Sequence, residues 1–221
     1  MVEGVIFDMD GTLIDSMWLW RDIDVNYLKK FGIECPNNLQ EQLEGKSFTE
    51  TAAFFKSKFG IQDEIEKIKS DWNSMAWELY KTEVTLKENV LELLKLLKKK
   101  EIKMAIATSN SQELVDLIFD RFNLGEYFTA ICTSCEVSNG KPLPDVFLKA
   151  AEKIGIAPEK CLAFEDIPAG VLAAKRAGMT VFAIEDESSL HLKADLKKLS
   201  DQYFENYSDA IRVISLNYLN Y

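Results

Sequence analysis

The chain has 221 residues, 47% of them hydrophobic, which suits one large domain or one domain with a smaller insertion. Its 36 acidic residues outnumber the 26 basic ones and give a formal charge of −10, so we expect no groove for nucleic acid. The sequence opens without a signal peptide and holds no apolar run of membrane-spanning length. We therefore expect a cytoplasmic protein without membrane contacts. We also expect it to act as a monomer.

The first predicted element is a buried β-strand at residues 2 to 8. It ends in Asp8, and Asp10 and Gly11 follow closely. A buried parallel strand presents its last residue at the carboxyl edge of the sheet, where open α/β sheets bind their ligands. Aspartates are also common in surface turns, so this pair gains meaning only from the residues that later strands place beside it.

Helical periodicity predicts an all-helical module at residues 16 to 81. A capping box at Ser47 begins one of its helices, which Gly60 ends, and a short helix precedes it around residues 39 to 43. The apolar stripe of the first helix comprises Trp20, Ile23, Tyr27 and Phe31, followed by Gly32. The apolar stripe of the last helix comprises Ile61, Ile65, Ile68, Trp72, Met75 and Leu79.

From about residue 85, helical and strand patterns alternate. The predicted strands lie at residues 103 to 108, 130 to 133, 161 to 164 and 180 to 184, with a small strand near Tyr203 and a last helix from Ser208. This alternation is typical of a parallel sheet that is covered on both faces and that includes the first strand. The chain is thus predicted to divide into an α/β core, at residues 1 to 15 and 82 to 221, and a helical insertion joined to it by a hinge.

Four groups of polar residues follow the ends of these strands or lie in the loops beyond them. Each group alone has a structural explanation as a turn, a helix cap or a solvated charge. Because one edge of the sheet collects all four, we expect a single site there. The groups are Asp8 with Asp10, Thr108 with Ser109 and Asn110, Lys141, and Glu165 with Asp166.

Carboxylates that converge on one place repel one another unless a cation neutralises them, and hard oxygen ligands suit Mg²⁺. Magnesium commonly shares its coordination shell with a substrate phosphate, and a lysine and hydroxyl groups would hold the remaining phosphate oxygens. Phosphoryl transfer uses all of these parts. One aspartate can attack phosphorus to form an aspartyl-phosphate, while a second carboxyl group protonates the leaving oxygen and then acts as a base.

The same residues carry a resemblance to the haloacid dehalogenase superfamily. The helical insertion resembles the C1 cap of the branch that contains phosphoglycolate phosphatase and β-phosphoglucomutase. Over most of the chain, the resemblance implies a Rossmann-like core with a mobile C1 cap. The matching motifs are Asp8-Met-Asp10-Gly11-Thr12, Thr108 after its strand, Lys141 in Gly-Lys-Pro-Leu-Pro-Asp, and Glu165-Asp166 with Pro168-Ala-Gly170.

The resemblance also implies roles for the acidic residues. Asp8 is the expected nucleophile, and Asp10 is the expected general acid and base. Magnesium is expected to bind Asp8, the main-chain carbonyl of Asp10, and Asp166. Glu165 is expected to bind the metal directly or from the second coordination shell.

Phosphate binding is assigned by the same resemblance to Thr108 and Lys141. Ser109 and Asn110, which follow Thr108 directly, are further candidates. The expected enzyme is therefore a Mg²⁺-dependent phosphohydrolase that acts on a small phosphorylated metabolite through an aspartyl-phosphate intermediate. Dehalogenase chemistry is disfavoured, because those enzymes lack an acid at the position of Asp10 and need no metal.

Two alternatives to the hydrolase remain open. A sugar-phosphate mutase of the β-phosphoglucomutase type shares all four motifs, but its cap histidine falls here on Trp20, and the one histidine of the chain is His191, outside the cap. A non-catalytic binding protein on the same scaffold is the other alternative, which the intact set of carboxylates disfavours.

Three residues are candidates for substrate specificity in the cap. Trp18 lies off the apolar stripe and is the better candidate for a pocket wall, with packing on the core as its alternative. Trp20 belongs to the stripe, which favours a place in the cap interior over the pocket. Lys46 precedes a helix, so it is either placed to meet an anionic substrate or is a solvated loop charge.

The four cysteines are expected to be reduced, since no secretion signal accompanies them. Cys132 and Cys135 are spaced like a redox or metal-binding pair. Neither a helix N-terminus nor a second ligand pair accompanies them, so we expect both to be buried small residues at the end of a strand.

Overall fold

The structure is a computed structural model, and it describes residues 2 to 218. The strands are β1 (Gly4–Phe7), β2 (Ile14–Asp15), β3 (Thr85–Leu86), β4 (Lys103–Thr108), β5 (Ala130–Thr133), β6 (Cys161–Glu165), β7 (Thr180–Ile184) and β8 (Gln202–Phe204). The helices are α1 (Met17–Lys29), α2 (Leu39–Leu43), α3 (Phe48–Phe59), α4 (Ile65–Thr82), α5 (Val90–Lys99), α6 (Gln112–Phe122), α7 (Asp145–Ile154), α8 (Pro168–Arg176), α9 (Lys193–Leu199) and α10 (Tyr207–Asn217).

Six strands form one parallel sheet in the order β5-β4-β1-β6-β7-β8. The predicted α/β class and the predicted strands are confirmed. β1 is central, and its last residue, Phe7, lies level with Ile106 of β4 and Phe164 of β6. The residues that follow β1, β4 and β6 therefore meet at the carboxyl edge of the sheet.

Helices cover both faces of the sheet, as the alternation predicts. Val5 and Phe7 point to a hydrophobic core shared with α5, α6 and α10. Ile6, between them, points to the opposite core, which α7, α8 and α9 share. This alternation follows from the period of two along a strand, and it explains why β1 is apolar on both faces.

The insertion contains four helices, α1 to α4, and its interior is aromatic. Tyr27, Phe55 and Trp72 contact one another at ring centroid distances between 4.9 and 6.1 Å. The predicted capping box is present at Ser47, and Gly60 ends α3 in the left-handed conformation with φ of 67°.

The two predicted apolar stripes of the insertion need correction. α1 ends at Lys29, and Phe31, which lies beyond it, is 40% exposed. In α4 the fully buried positions are Ile68, Trp72, Ala76 and Tyr80, while Met75 and Leu79 are only partly buried and Ile61 precedes the helix. The buried positions of α4 are thus spaced by four residues and end at Tyr80, whereas the predicted stripe, with spacings of three and four, ended at Leu79.

The two connections between insertion and core pair with each other as short strands that the sequence does not predict. Ile14 and Asp15 of β2 pair antiparallel with Leu86 and Thr85 of β3. We call this pair, with the adjoining residues 82 to 84 and 87, the hinge. The helix α9 is also missing from the prediction.

Among residues 2 to 218, no helix has the length and apolar character that a membrane crossing needs.

The two cysteines Cys132 and Cys135 differ in burial. All four cysteines are free thiols. Cys132 is buried, and this burial raises its pKa to about 11, which makes it a poor nucleophile. Cys135 is exposed and lies 3.4 Å from the hydroxyl of Thr49, so the expectation of two buried cysteines is wrong for Cys135.

Candidate active site

Lys141 is bound between two carboxylates at the carboxyl edge of the sheet. Asp8 follows β1, Glu165 ends β6, and Lys141 comes from the loop between β5 and α7. The Lys141 Nζ donates to Asp8 Oδ1 at 2.5 Å and also to Glu165 Oε1. Burial alone would lower the pKa of Lys141, but the two carboxylates outweigh this effect and raise it, so the ammonium stays charged.

A third buried carboxylate, Asp166, completes a cluster that fits a metal ion. One oxygen each of Asp8, Glu165 and Asp166 lies within 4.8 Å of the others. Asp166 Oδ1 accepts a hydrogen bond of 2.9 Å from Thr12, whereas its buried Oδ2 has no partner. Among the described residues, these three carboxylates and Lys141 sum to a formal charge of −2. Burial raises the pKa of Asp8 and of Asp166, and the neighbouring carboxylates raise both further. An unpartnered carboxylate oxygen and two missing positive charges fit a divalent, oxygen-preferring cation such as Mg²⁺.

Asp10 lies outside this cluster, and its side chain accepts hydrogen bonds from four donors. Its Oδ1 accepts from Ser16 Oγ at 2.7 Å, from Trp20 Nε1 at 3.4 Å and from the Tyr80 hydroxyl. Its Oδ2 accepts from Asn110 Nδ2 at 2.8 Å. Ser16 occupies the N-cap position of α1 but does not cap it, because its hydroxyl is directed to Asp10.

The helical insertion is closed over the edge of the sheet. The backbone N–H of Phe48 donates to the Ser109 carbonyl at 3.1 Å, and the N–H of Ala169 donates to Glu44 Oε1 at 3.2 Å. In this arrangement Asp8 is only 6% exposed. The carboxylates thus lie in a site from which bulk water is excluded.

The predicted phosphate-binding residues all lie at this edge, but their side chains differ in availability. Thr108 is buried, and its Oγ1 accepts from the backbone N–H of Asn110 at 3.1 Å. The amide nitrogen of Asn110 donates to Asp10 and to the Tyr80 hydroxyl, so its side chain serves the acid rather than an open phosphate site. The carbonyl of Ser109 is bound by the insertion. Their roles toward phosphate, like that of Lys141, stay predictions.

The specificity candidates fall in different places. Trp18 is 44% exposed, and its indole N–H donates to the Asp15 carbonyl beside the hinge. Trp20 reaches the site through its indole N–H and packs edge-on against the Tyr80 ring at 6.0 Å. Lys46 is directed to the ring of Phe54, with 5.8 Å from Nζ to the ring centroid. Of the three, Trp20 is the one that contacts a predicted catalytic residue.

Several residues at the site were missed by sequence reasoning. Tyr80 is the most important, and the spacing of four from Trp72 through Ala76 was the signal that could have found it. Lys87 of the hinge is another, and it forms a partly buried ion pair of 2.8 Å with Asp186 after β7. This pair links the hinge to the sheet edge beside Asp166, and no local sequence pattern indicates it.

Residues 5–184 match the family model described as haloacid dehalogenase-like hydrolase. The chain belongs to this family. Its parallel Rossmann-like core and inserted helical cap are therefore the family fold, as the motifs had implied. The matched residues include the whole cap and all four groups of polar residues, so the family match and the geometry of the site concern the same part of the chain.

Named relatives agree with the family assignment. The phosphorylated carbohydrates phosphatase of Thermotoga maritima is 33% identical over 80% of this chain and 82% of its own length. The (DL)-glycerol-3-phosphatase 2 of Arabidopsis thaliana is 35% identical over 84% of this chain and 80% of its own length. The crystal structure of β-phosphoglucomutase from Clostridium difficile superposes with a TM-score of 0.79 at 20% identity, covering 98% of this chain and 99% of that one. The relatives mark this haloacid dehalogenase-like hydrolase as a phosphatase, and the mutase structure shows the shared fold.

Proposed function

We propose that this enzyme is a Mg²⁺-dependent phosphatase that hydrolyses a phosphate monoester of a small, uncharged sugar or polyol through an aspartyl-phosphate. The observation that carries the proposal is that the carboxyl edge of the sheet holds a buried cluster of carboxylates beside a separate carboxylate that contacts only uncharged donors among the described residues. Asp8, Glu165 and Asp166 form a buried cluster with one lysine. Asp10, two residues from Asp8, is held apart from them by uncharged donors.

Asp8 is suited to attack phosphorus because it is close to a fixed positive charge. Burial raises its pKa, which disfavours the carboxylate, while Lys141 favours it. Asp8, Asp166 and Glu165 would hold Mg²⁺, which supplies further positive charge for the carboxylate and the phosphoryl oxygens. Lys141 remains bonded to the Asp8 oxygen and is placed to bind a phosphoryl oxygen as the transfer proceeds.

The proposed reaction has two steps, and Asp10 acts in both. An Asp8 oxygen forms a bond to phosphorus while the ester P–O bond breaks, and protonated Asp10 gives its proton to the leaving oxygen. Water then attacks the aspartyl-phosphate, Asp10 takes a proton from this water, and the Asp8–phosphate bond breaks to release inorganic phosphate. Asp8 returns as a carboxylate and Asp10 as an acid, so the cycle is balanced.

The surroundings of Asp10 support an uncharged leaving group. Among residues 2 to 218, the four side chains that donate to Asp10 are uncharged, and two of them, Trp20 and Tyr80, are aromatic. Lys46, the cationic specificity candidate from the sequence, is directed to the ring of Phe54 instead. The names of the relatives, which include phosphatases of phosphorylated carbohydrates and of glycerol 3-phosphate, support the same substrate class.

The test is release of inorganic phosphate from a panel of sugar phosphates, polyol phosphates and phosphorylated carboxylic acids, with and without Mg²⁺. We expect turnover of sugar or polyol phosphates that a chelator abolishes and excess Mg²⁺ restores. Asp8→Asn should lose this activity, whereas Asp22→Asn, at an exposed position of α1, should keep it. Full turnover by Asp8→Asn would exclude the mechanism.

The same panel separates the alternatives. Interconversion of β-glucose 1-phosphate and glucose 6-phosphate with little phosphate release would establish the mutase instead. The absence of turnover on every member, in a folded protein supplied with Mg²⁺, would favour a binding protein. A preference for phosphorylated carboxylic acids would leave the phosphatase in place and refute the uncharged leaving group.

A further inference from the structure

The C-terminal end of α4, where the cap meets the hinge, is fixed by a core residue. Arg121, in the last turn of α6, donates from Nη1 to the carbonyls of Tyr80, at 2.8 Å, and Val84, and from Nη2 to that of Thr82 at 3.4 Å. Carbonyls in the last turn of a helix lack partners within the helix, and a cation there also complements the helix dipole. One guanidinium thus fixes the last turn of α4 and the first hinge residues to the core.

The residue whose carbonyl Arg121 binds is also the residue whose side chain reaches the acid. The Tyr80 hydroxyl donates to Asp10 Oδ1 and accepts from Asn110 Nδ2 at 2.9 Å. Burial and the neighbouring Asp10 carboxylate raise the pKa of Tyr80, which keeps the phenol protonated as a donor. The orientation of Asp10, which Ser16, Trp20 and Asn110 also support, therefore depends in part on where the backbone of Tyr80 is held.

α6 makes both connections from a single rigid element. Asn110 lies just before its first turn and donates to both Asp10 and Tyr80, while Arg121 lies in its last turn. Asn73 of α4 also accepts a hydrogen bond of 2.8 Å from Ser111, at the start of α6. The two ends of α6 therefore both contact α4. They lie about 16 Å apart, because α6 has 11 residues and each residue of an α-helix adds 1.5 Å.

We propose that Arg121 is a positioning residue for the acid and base step. It does not touch the reacting atoms; it fixes the Tyr80 backbone, and through the Tyr80 phenol it fixes the orientation of Asp10. This inference rests on the proposed role of Asp10 as general acid. Its consequence is that loss of Arg121 impairs protonation of the leaving group more than it impairs attack by Asp8.

Leaving groups of different basicity test this selectively. An alkyl phosphate such as glycerol phosphate needs a proton on its leaving oxygen, whereas p-nitrophenyl phosphate does not. We expect Arg121→Ala and Tyr80→Phe each to lower kcat/KM for the alkyl ester about tenfold, part of what a general acid contributes. For p-nitrophenyl phosphate the change should be less than about twofold.

The double variant tests whether the two residues act as one unit. If Arg121 acts through Tyr80, Arg121→Ala combined with Tyr80→Phe should be no worse than the more impaired single variant. The matched control is Arg212→Ala, because Arg212 is an exposed arginine that forms an ion pair with Asp209 on the surface. Arg121→Lys, which keeps the charge but cannot reach three carbonyls, serves as the second variant if Arg121→Ala does not fold.

Equal losses on both esters, additive losses in the double variant, or an Arg121→Ala profile like that of Arg212→Ala would overturn the inference. If the wild-type enzyme hydrolyses no member of the substrate panel with Mg²⁺, the proposed function fails instead, and proton NMR decides the inference separately. A downfield hydroxyl resonance that is lost in Tyr80→Phe and displaced in Arg121→Ala or Arg121→Lys would support it. The same resonance unchanged in the Arg121 variants would refute it.

Discussion

A buried carboxylate inside the cap makes a quantitative prediction about stability. Asp24 of α1 is 6% exposed, and its Oδ2 accepts from Gln40 Nε2 of α2 at 2.8 Å. Burial is the main cause that raises its pKa from an ordinary value of 3.8 to about 7, and the hydrogen bond from Gln40 offsets only part of this effect. The substitution Asp24→Asn keeps the shape and an acceptor for Gln40, and it removes the titrating group.

The sign of the effect follows from proton binding. Between pH 3.8 and about 7 the folded state keeps a proton on Asp24 that the unfolded chain has released, so the free energy of unfolding falls as the pH rises through this window. At about 1.4 kcal/mol for each pH unit, the full window lowers stability by about 4 kcal/mol. Asp24→Asn should therefore be more stable than the wild type by about 2 kcal/mol at pH 5 and about 4 kcal/mol at pH 8.

Urea unfolding followed by tryptophan fluorescence measures this difference, because Trp20 and Trp72 lie in the cap. Asp22→Asn is the matched control, since it removes the same charge from an exposed position of the same helix. Its stability should follow the wild type at both pH values. If Asp24→Asn gained equally at pH 5 and pH 8, or gained nothing, Asp24 would not be the buried titrating group described above.

Three further substitutions test the site. Gly45→Ala would place a Cβ 2.7 Å from Ala169 Cβ at a residue with φ of 75°, so we expect incomplete cap closure and kcat/KM about tenfold lower in steady-state kinetics. Gly170→Ala would place a Cβ 2.0 Å from the carboxyl carbon of Glu165, so calorimetry should show Mg²⁺ affinity at least about tenfold weaker. Lys141→Met leaves three buried carboxylates without a cation, and its metal-free form should be about 3 kcal/mol less stable by urea unfolding, with partial recovery in Mg²⁺.

The sheet could be predicted from the sequence because its strands are buried on both faces. Such strands appear as unbroken apolar runs between turn residues, and β4 and β7 begin and end where the runs do. The position of the site followed as well, because parallel strands bring their carboxyl ends to one edge. Asp8 and Lys141, 133 residues apart in the sequence, are accordingly in contact, and Lys141 also contacts Glu165.

The surroundings of Asp10 could not be predicted in the same way. Whether Tyr80 or Leu79 faces the interior depends on a rotation of α4 by one residue. The spacing of four from Trp72 through Ala76 favours Tyr80, but the stripe of mixed three and four spacings favours Leu79, so the packing of the cap on the core decides between them. The short hinge strands β2 and β3 have too few residues to show an alternating pattern. The contact of Arg121 with the end of α4 joins residues about 40 positions apart and depends wholly on how the cap packs on the core.

The closed cap gives one physical account of selectivity and catalysis in this enzyme. Because Asp8 is only 6% exposed, we expect substrate to enter only after the cap moves, and we expect the chain to bend at the paired strands of the hinge. Trp20 and Tyr80 belong to the cap, so Asp10 gains these two donors only when the cap is closed and water is excluded. A phosphate ester that prevents closure therefore meets an acid that is incompletely oriented. We infer that the cap selects substrates partly by completing the acid, in addition to contacting the leaving group.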